Sequence, residues 1–193
     1  MSLKGDMQNK PTSGGRGSAA GTAVAPKTSL EHVLGHCTDA QQFCTAIAKL
    51  FGVRVTEVAL MRLEKGLLKF AFPEELKTAG AIPVSSSSAI AAHTASTKKI
   101  ELFNAFTKVK HARVFETVRL ASKEDTEKSE HLQIQKLMSA PILDPAKKVL
   151  GVIQVCRKGF DLVSAGPDFT LDDLQQLELA AAVVSKMPFM SQA

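Results

Sequence analysis

The stretch Lys136 to Lys158, KLMSAPILDPAKKVLGVIQVCRK, constrains the fold more than any other part of the chain. It spells two strands joined by a turn. Leu137 to Leu143 is small and apolar. Asp144-Pro145 is a turn signal, because Pro holds φ at about −65° and Asp can bond its own backbone two residues on. Lys147-Lys148 keeps that turn hydrated. Val149 to Cys156 is rich in β-branched residues. A period of two places Val149, Gly151, Ile153 and Val155 on one face and Leu150, Val152, Gln154 and Cys156 on the other. Neither face is polar overall, so the spacing predicts a central strand covered on both sides. Gly151 weakens such a strand unless something approaches closely there.

The cover has to come from the rest of the chain. Phe169 to Ser185 predicts one helix: Thr170 as N-cap with Asp173 three residues on resembles a capping box, and Leu174, Leu177, Ala181 and Val184 form an apolar stripe. Pro188 forbids its continuation. Ser29 to Phe51 predicts another helix, broken at Gly35-His36. Thr38 or Asp39 can cap the second segment, Phe43, Ile47 and Leu50 recur at helical spacing, and Gly52 fits the position just past the end. Between them, Val53 to Arg62 and Leu67 to Phe72 read as strands around the turn Glu64-Lys65-Gly66, with Pro73 ending the second. Glu74 to Ala79 reads as a short helical piece. Ser85 to Ser88 offers N-caps for a helix from about Ser86 to Thr97, and Ile100 to Phe103 is a strand ending at Asn104. Phe106 to Val118 suggests a short helix, Leu120 to Ser129 a charged loop, and His131 to Met138 a strand running into the opening stretch.

This order predicts an α+β fold: a central antiparallel sheet of about five to six strands, flanked by the N- and C-terminal helices on one face and by short helices and loops on the other. Residues 1–28, rich in Gly, Ser, Ala, Pro, Lys and Thr, lack the apolar side chains that would offset their ordering entropy and read as a disordered tail. Residues 29–188 read as one domain and 189–193 as a short C-terminal tail. At 193 residues and 45% apolar, the chain can bury a core without staples.

Composition narrows the function classes. The net charge is +5, but residues 1–29 hold Lys4, Lys10, Arg16 and Lys27 against Asp6 alone, so the domain itself is near neutral. With no Trp, no Tyr and ten Phe needed for the core, no nucleic-acid partner is expected. Cys37, Cys44 and Cys156 are odd in number and contain no CxxC, which predicts a reduced, cytoplasmic setting. No apolar run reaches membrane-spanning length, and the N-terminus lacks the apolar segment of a secretory signal. None of His32, His36, His93, His111 and His131 forms HExxH or HxH, and there is no GxSxG, GxxxxGK[ST] or GxGxxG. No catalytic or metal-ligating set is therefore expected, and the sequence names no cofactor. Lys98, Lys99, Lys108, Lys110, His111 and Arg113 form a local basic patch, read as a solvated face.

From about Leu30 to Ser185 the chain resembles a GAF domain. The resemblance rests on APILDPAKKVLGVIQVCRKG followed by FTLDDLQQLELAAAVV, and on SAIAAHTASTKKIELFN at Ser88 to Asn104. It implies a non-catalytic sensory or regulatory module with a small molecule held between the sheet and the segment from about Ala81 to Gln135. His93, Phe103, Phe115 and Met138 would line that pocket. Output would pass by association, with a signalling partner or a second copy pairing through the terminal helices. The family's cyclic-nucleotide subset carries Asn-Lys, Phe and Asp-Glu at linked positions. Here these are Cys156-Arg157, Phe169 and Asp173-Leu174, and the matching Phe and Asp also fit as core aromatic and helix cap. The bilin subset's Cys beside His is matched only by His36-Cys37, in reverse order and too early. The methionine-sulfoxide-reducing subset needs mid-domain cysteines, and residues 45–155 contain none. The other reading is a dimerisation module whose pocket is filled.

Overall fold

In a computed structural model, residues 27–78, 80–106 and 132–191 are described. Helix α1 (Lys27–Gly35) and helix α2 (Ala40–Phe51) lead into strands β1 (Val58–Glu64), β2 (Leu67–Phe72) and β3 (Ala81–Pro83). Helix α3 (Ile90–Thr97) and strand β4 (Glu101–Phe103) follow, then the long hairpin β5 (Gln133–Leu143) and β6 (Val149–Gly159). Helix α4 (Leu171–Val184) and the short α5 (Pro188–Ser191) close the chain. The strands form one antiparallel sheet in the order β3-β2-β1-β6-β5-β4. This is the α+β architecture that the hairpin required, and β6 is central in it. The expected helix in Phe106 to Val118 and the loop Leu120 to Ser129 lie outside the described residues, apart from Phe106. So does most of the tail assigned to residues 1–28; α1 starts at Lys27.

One face of the sheet is packed by α1, α2, α4 and α5. Leu34, Phe43, Ile47, Leu60, Met138, Ile142, Ile153, Phe169, Leu177 and Val184 belong to one continuous buried cluster there. Each such side chain contributes about 1.5–3 kcal/mol by leaving water. The helix ends are as the sequence spelled them. The Asp39 carboxylate accepts from the Gln42 amide at 2.8 Å, and Gly52 closes α2 with φ +59°. Thr170 and Asp173 exchange side-chain and backbone hydrogen bonds in a complete capping box.

Other local readings need correction. The chain after Gly52 does not enter a strand at Val53. Val55–Glu57 is a turn of 3-10 helix, because the carboxylate of Glu57 reaches back to the Arg54 amide and guanidinium and across to the Lys158 amide at 2.7 Å. The serines at 85–88 do not cap α3, which starts at Ile90 behind Ala89 with no side-chain cap; Ser86 and Ser88 bond each other instead. Ile82 and its neighbours pair with β2 as an edge strand that periodicity did not reveal. The strict alternation of β6 fails at Leu150: the pairing steps from Ile142–Gly151 to Leu143–Val149, so this bulge puts Val149 with Val152 on the face opposite Ile153 and Val155. Gly151 has the close neighbours its position demanded, since a Cβ there would stand 2.0 Å from the Met61 carbonyl oxygen and 3.1 Å from Met190 Cε. The long helix does stop before Pro188, at Val184, as expected; Pro188 then opens the separate short α5, whose Met190 is buried beside β6.

Candidate functional site

The other face of the sheet is built differently. Under β1, β2 and β3, Ala59, Met61, Leu68, Phe70, Leu76 and Ile82 pack with the alanines of α3. Towards β5, Ile134, Leu137 and Cys156 pack with Ile90 and Phe106. Between these two apolar clusters runs a row of polar side chains.

Pairing registers place the row. Glu101 on β4 is level with Ser139 on β5, and Ser139 is level with Gln154 on β6. Three strands thus present a polar side chain at the same height, from the sheet edge to its centre. Ser139, Gln154 and, on α3, Thr94 are buried. The Gln154 side-chain amide donates to Ser139 Oγ at 3.1 Å. Ser139 Oγ and Thr94 Oγ1 lie 2.7 Å apart, and the Thr94 hydroxyl donates to Glu101 Oε2 at 2.8 Å. A hydroxyl has one hydrogen, so Thr94, having given its own to the carboxylate, accepts from Ser139. The donations run one way, from Gln154 through Ser139 and Thr94 to Glu101. At the rim, His93 Nδ1 lies 2.9 Å from Glu101 Oε1, with half of the imidazole exposed. Unpartnered, these groups would each cost about 1–3 kcal/mol to bury; linked, they hold one another in fixed directions.

The four pocket residues expected from the sequence are not gathered together. His93 is at the outer end of the polar row. Phe103 is on the same side of the sheet and meets Phe106 edge to face, with ring centres 6.1 Å apart. Phe115 lies outside the described residues. Met138 is fully buried on the opposite face, in the cluster under the terminal helices. The residues that sequence reasoning missed are Thr94, Glu101, Ser139 and Gln154. A signal existed for two of them: Ser139 and Gln154 are polar within the apolar runs Leu137 to Leu143 and Val149 to Cys156.

The basic patch resolves in part. Lys98 and Lys99 line an open cleft of about 460 Å³ with Ile100, Pro141, Lys147 and the acidic Asp144 and Glu178. The two signs are mixed there. Lys108, Lys110, His111 and Arg113 lie outside the described residues. Of the thiols, Cys44 and Cys156 are buried, and burial pushes the Cys44 thiol far above its ordinary range. Phe169 and Asp173, the two matches to the cyclic-nucleotide pattern, have structural work. Phe169 is buried under the Arg157 guanidinium at 4.7 Å, and Asp173 closes the capping box. Among the described residues no three His, Cys, Asp or Glu side chains gather to hold a metal ion, and no helix is long and apolar enough to cross a membrane.

The fold is thus a central antiparallel sheet with terminal helices on one face and a smaller helix over a partly polar face on the other. Residues 39–186 match the GAF domain family, and the chain belongs to it. That family is one of sensory and signalling domains. No curated protein matches the sequence. Solved structures do resemble the fold. The GAF domain of an Acinetobacter phosphoenolpyruvate-protein phosphotransferase superposes with a TM-score of 0.58 at 12% identity, covering 82% of this chain and 87% of that one. Free methionine-R-sulfoxide reductase from Neisseria meningitidis, in complex with its substrate, gives 0.57 at 14% identity over 86% and 87%. A methyl-accepting chemotaxis protein gives 0.51 at 16% identity over 81% and 92%. At these identities the likeness is one of fold.

Proposed function

We propose that this GAF domain is a non-catalytic sensor of a small molecule, cytoplasmic, and that it signals through association with a partner protein or a second copy. The observation that carries the reading is the directed polar row on the α3 face, set between two apolar clusters. A ligand with an apolar body and a polar edge would lie between the sheet and the segment from about Ala81 to Gln135. Its polar edge would meet His93, Thr94 and Glu101, and its apolar body Phe103 and Phe115. Met138, on the opposite face, would respond through the packing of β5 rather than by contact. Catalysis of the sulfoxide-reducing kind is not part of the proposal, since Cys44 and Cys156 are buried.

The test is native mass spectrometry of protein purified from its source without added ligand. The expected result is a non-covalent adduct that is lost on denaturation and on substitution Glu101→Gln. A clean apo protein in both would overturn the sensor reading. One observation favours the second reading, a dimerisation module: the polar row satisfies its own hydrogen bonds, and Val33 on α1 and Leu171 on α4 are exposed at 56% and 71%. A clean apo dimer, dissociated by Val33→Asp or Leu171→Asp, would establish that reading instead.

A further inference from the structure

The C-terminal end of α1 carries two histidines four residues apart: His32 in the last turn and His36 just past Gly35. On a helix this spacing brings side chains together on one face. Their Nε2 atoms are 3.4 Å apart, while the ring centres are 4.6 Å apart with the planes at 90°. The nitrogens are therefore closer than the rings that carry them, and both are turned towards the space between. Both residues are exposed.

A hydrogen bond donated by an N–H ordinarily spans about 2.7–3.2 Å, so 3.4 Å is long for one imidazole donating to the other. The distance has a second meaning. Two nitrogens bound to one tetrahedral cation at about 2.0–2.1 Å must lie about 3.3–3.4 Å apart. We infer that His32 and His36 form a chelating site for a late first-row divalent cation such as Zn²⁺. Imidazole nitrogen suits Zn²⁺, Cu²⁺ and Ni²⁺ and not Mg²⁺ or Ca²⁺, which take oxygen ligands. Two protein ligands leave the remaining positions to water. The pair stands on the terminal-helix side of the sheet, opposite the polar row, and does not rest on the sensor reading. His36 stands just beyond Gly35, where α1 ends before α2 begins, so a bound cation would tie the last turn of α1 to the joint between the two helices.

The test is calorimetric titration of ZnCl₂ into the full chain at neutral pH, with Co²⁺ absorption as a probe of tetrahedral coordination. The expected result is saturable binding, weakened at least tenfold by His32→Gln and equally by His36→Gln, with the tetrahedral Co²⁺ bands lost in both. His93→Gln should leave binding unchanged. Circular dichroism establishes that each variant is folded, which the exposure of both side chains favours. No saturable binding by the unsubstituted chain overturns the inference. So does weakening by only one of the two variants, which would break the chelate, or by neither, which would place the cation on other histidines.

Discussion

The two faces of the sheet are made from the same strands and differ in kind. Under the terminal helices, Phe43, Ile47, Leu60, Met138, Ile153 and Leu177 form one unbroken apolar layer. Under α3 the apolar layer is divided, and Gln154, Ser139, Thr94 and Glu101 fill the division. An apolar layer is non-directional: it stabilises in proportion to area and tolerates small shifts. A hydrogen-bonded row is directional and gives little net stability for the groups it buries. The first face holds the fold, and the second fixes particular atoms in particular directions.

The sharpest test of that division is the truncation Phe43→Ala. It removes a fully buried ring from the continuous layer and should cost about 3–5 kcal/mol in urea denaturation. A cost comparable to that of a polar-row substitution would break the comparison. Next is Glu57, which pins the approach to β1 against the end of β6. Burial disfavours its charge, but hydrogen bonds from the Arg54 guanidinium and from the Lys158 and Arg54 amides outweigh that and hold its carboxyl below the usual range. A carboxyl with a depressed folded-state pKa stabilises the fold at pH values above its unfolded pKa. That contribution is lost as pH falls below about 4.5 and through the folded value. Glu57→Gln should cost about 2 kcal/mol at neutral pH and flatten the acid limb of a stability-against-pH curve.

Within the polar row, Ser139→Ala should cost about 1–2 kcal/mol, because it leaves Thr94 and Gln154 without their shared partner. Adding Thr94→Val should cost less than the sum of the two single changes, and thermal unfolding of the four proteins in the cycle reads the coupling directly. Strict additivity would show that the row is not a unit. The smallest effect belongs to Thr170→Ala, about 1 kcal/mol, since it removes a cap at the surface and touches neither face. Far-ultraviolet melting of α4 checks it.

The apolar face was far more legible in the sequence than the polar one, and the reason is range. Helix caps such as Asp39 and Thr170 act over three residues, and the stripes of α2 and α4 repeat over three or four. These signals are complete within a short window. The hairpin of β5 and β6 was legible for the same reason. The bulge at Leu150 was not, because it is defined by what stands opposite on β5. The linkage of the polar row was invisible for a stronger version of that reason: Thr94 meets Ser139 across 45 residues and Ser139 meets Gln154 across 15. Nothing in the residues near Ser139 says that a threonine on a distant helix will take its hydrogen. Met138 shows the cost of reading a strand without its register, since one step along β5 separates the face of Ser139 from the face under the helices. The serines at 85–88 had the chemistry of caps, but the cap position fell one residue beyond them, at Ala89.

One feature joins the two faces. Asn104, at the end of β4, donates through its side-chain amide to the Phe169 carbonyl oxygen and accepts from the Phe169 amide, both at 2.9 Å. Phe169 stands one residue before the cap of α4. The edge strand that carries Glu101 and the first turn of the last long helix are thus coupled like the two arms of a crank: neither can swing away from the other unless both of these bonds break together.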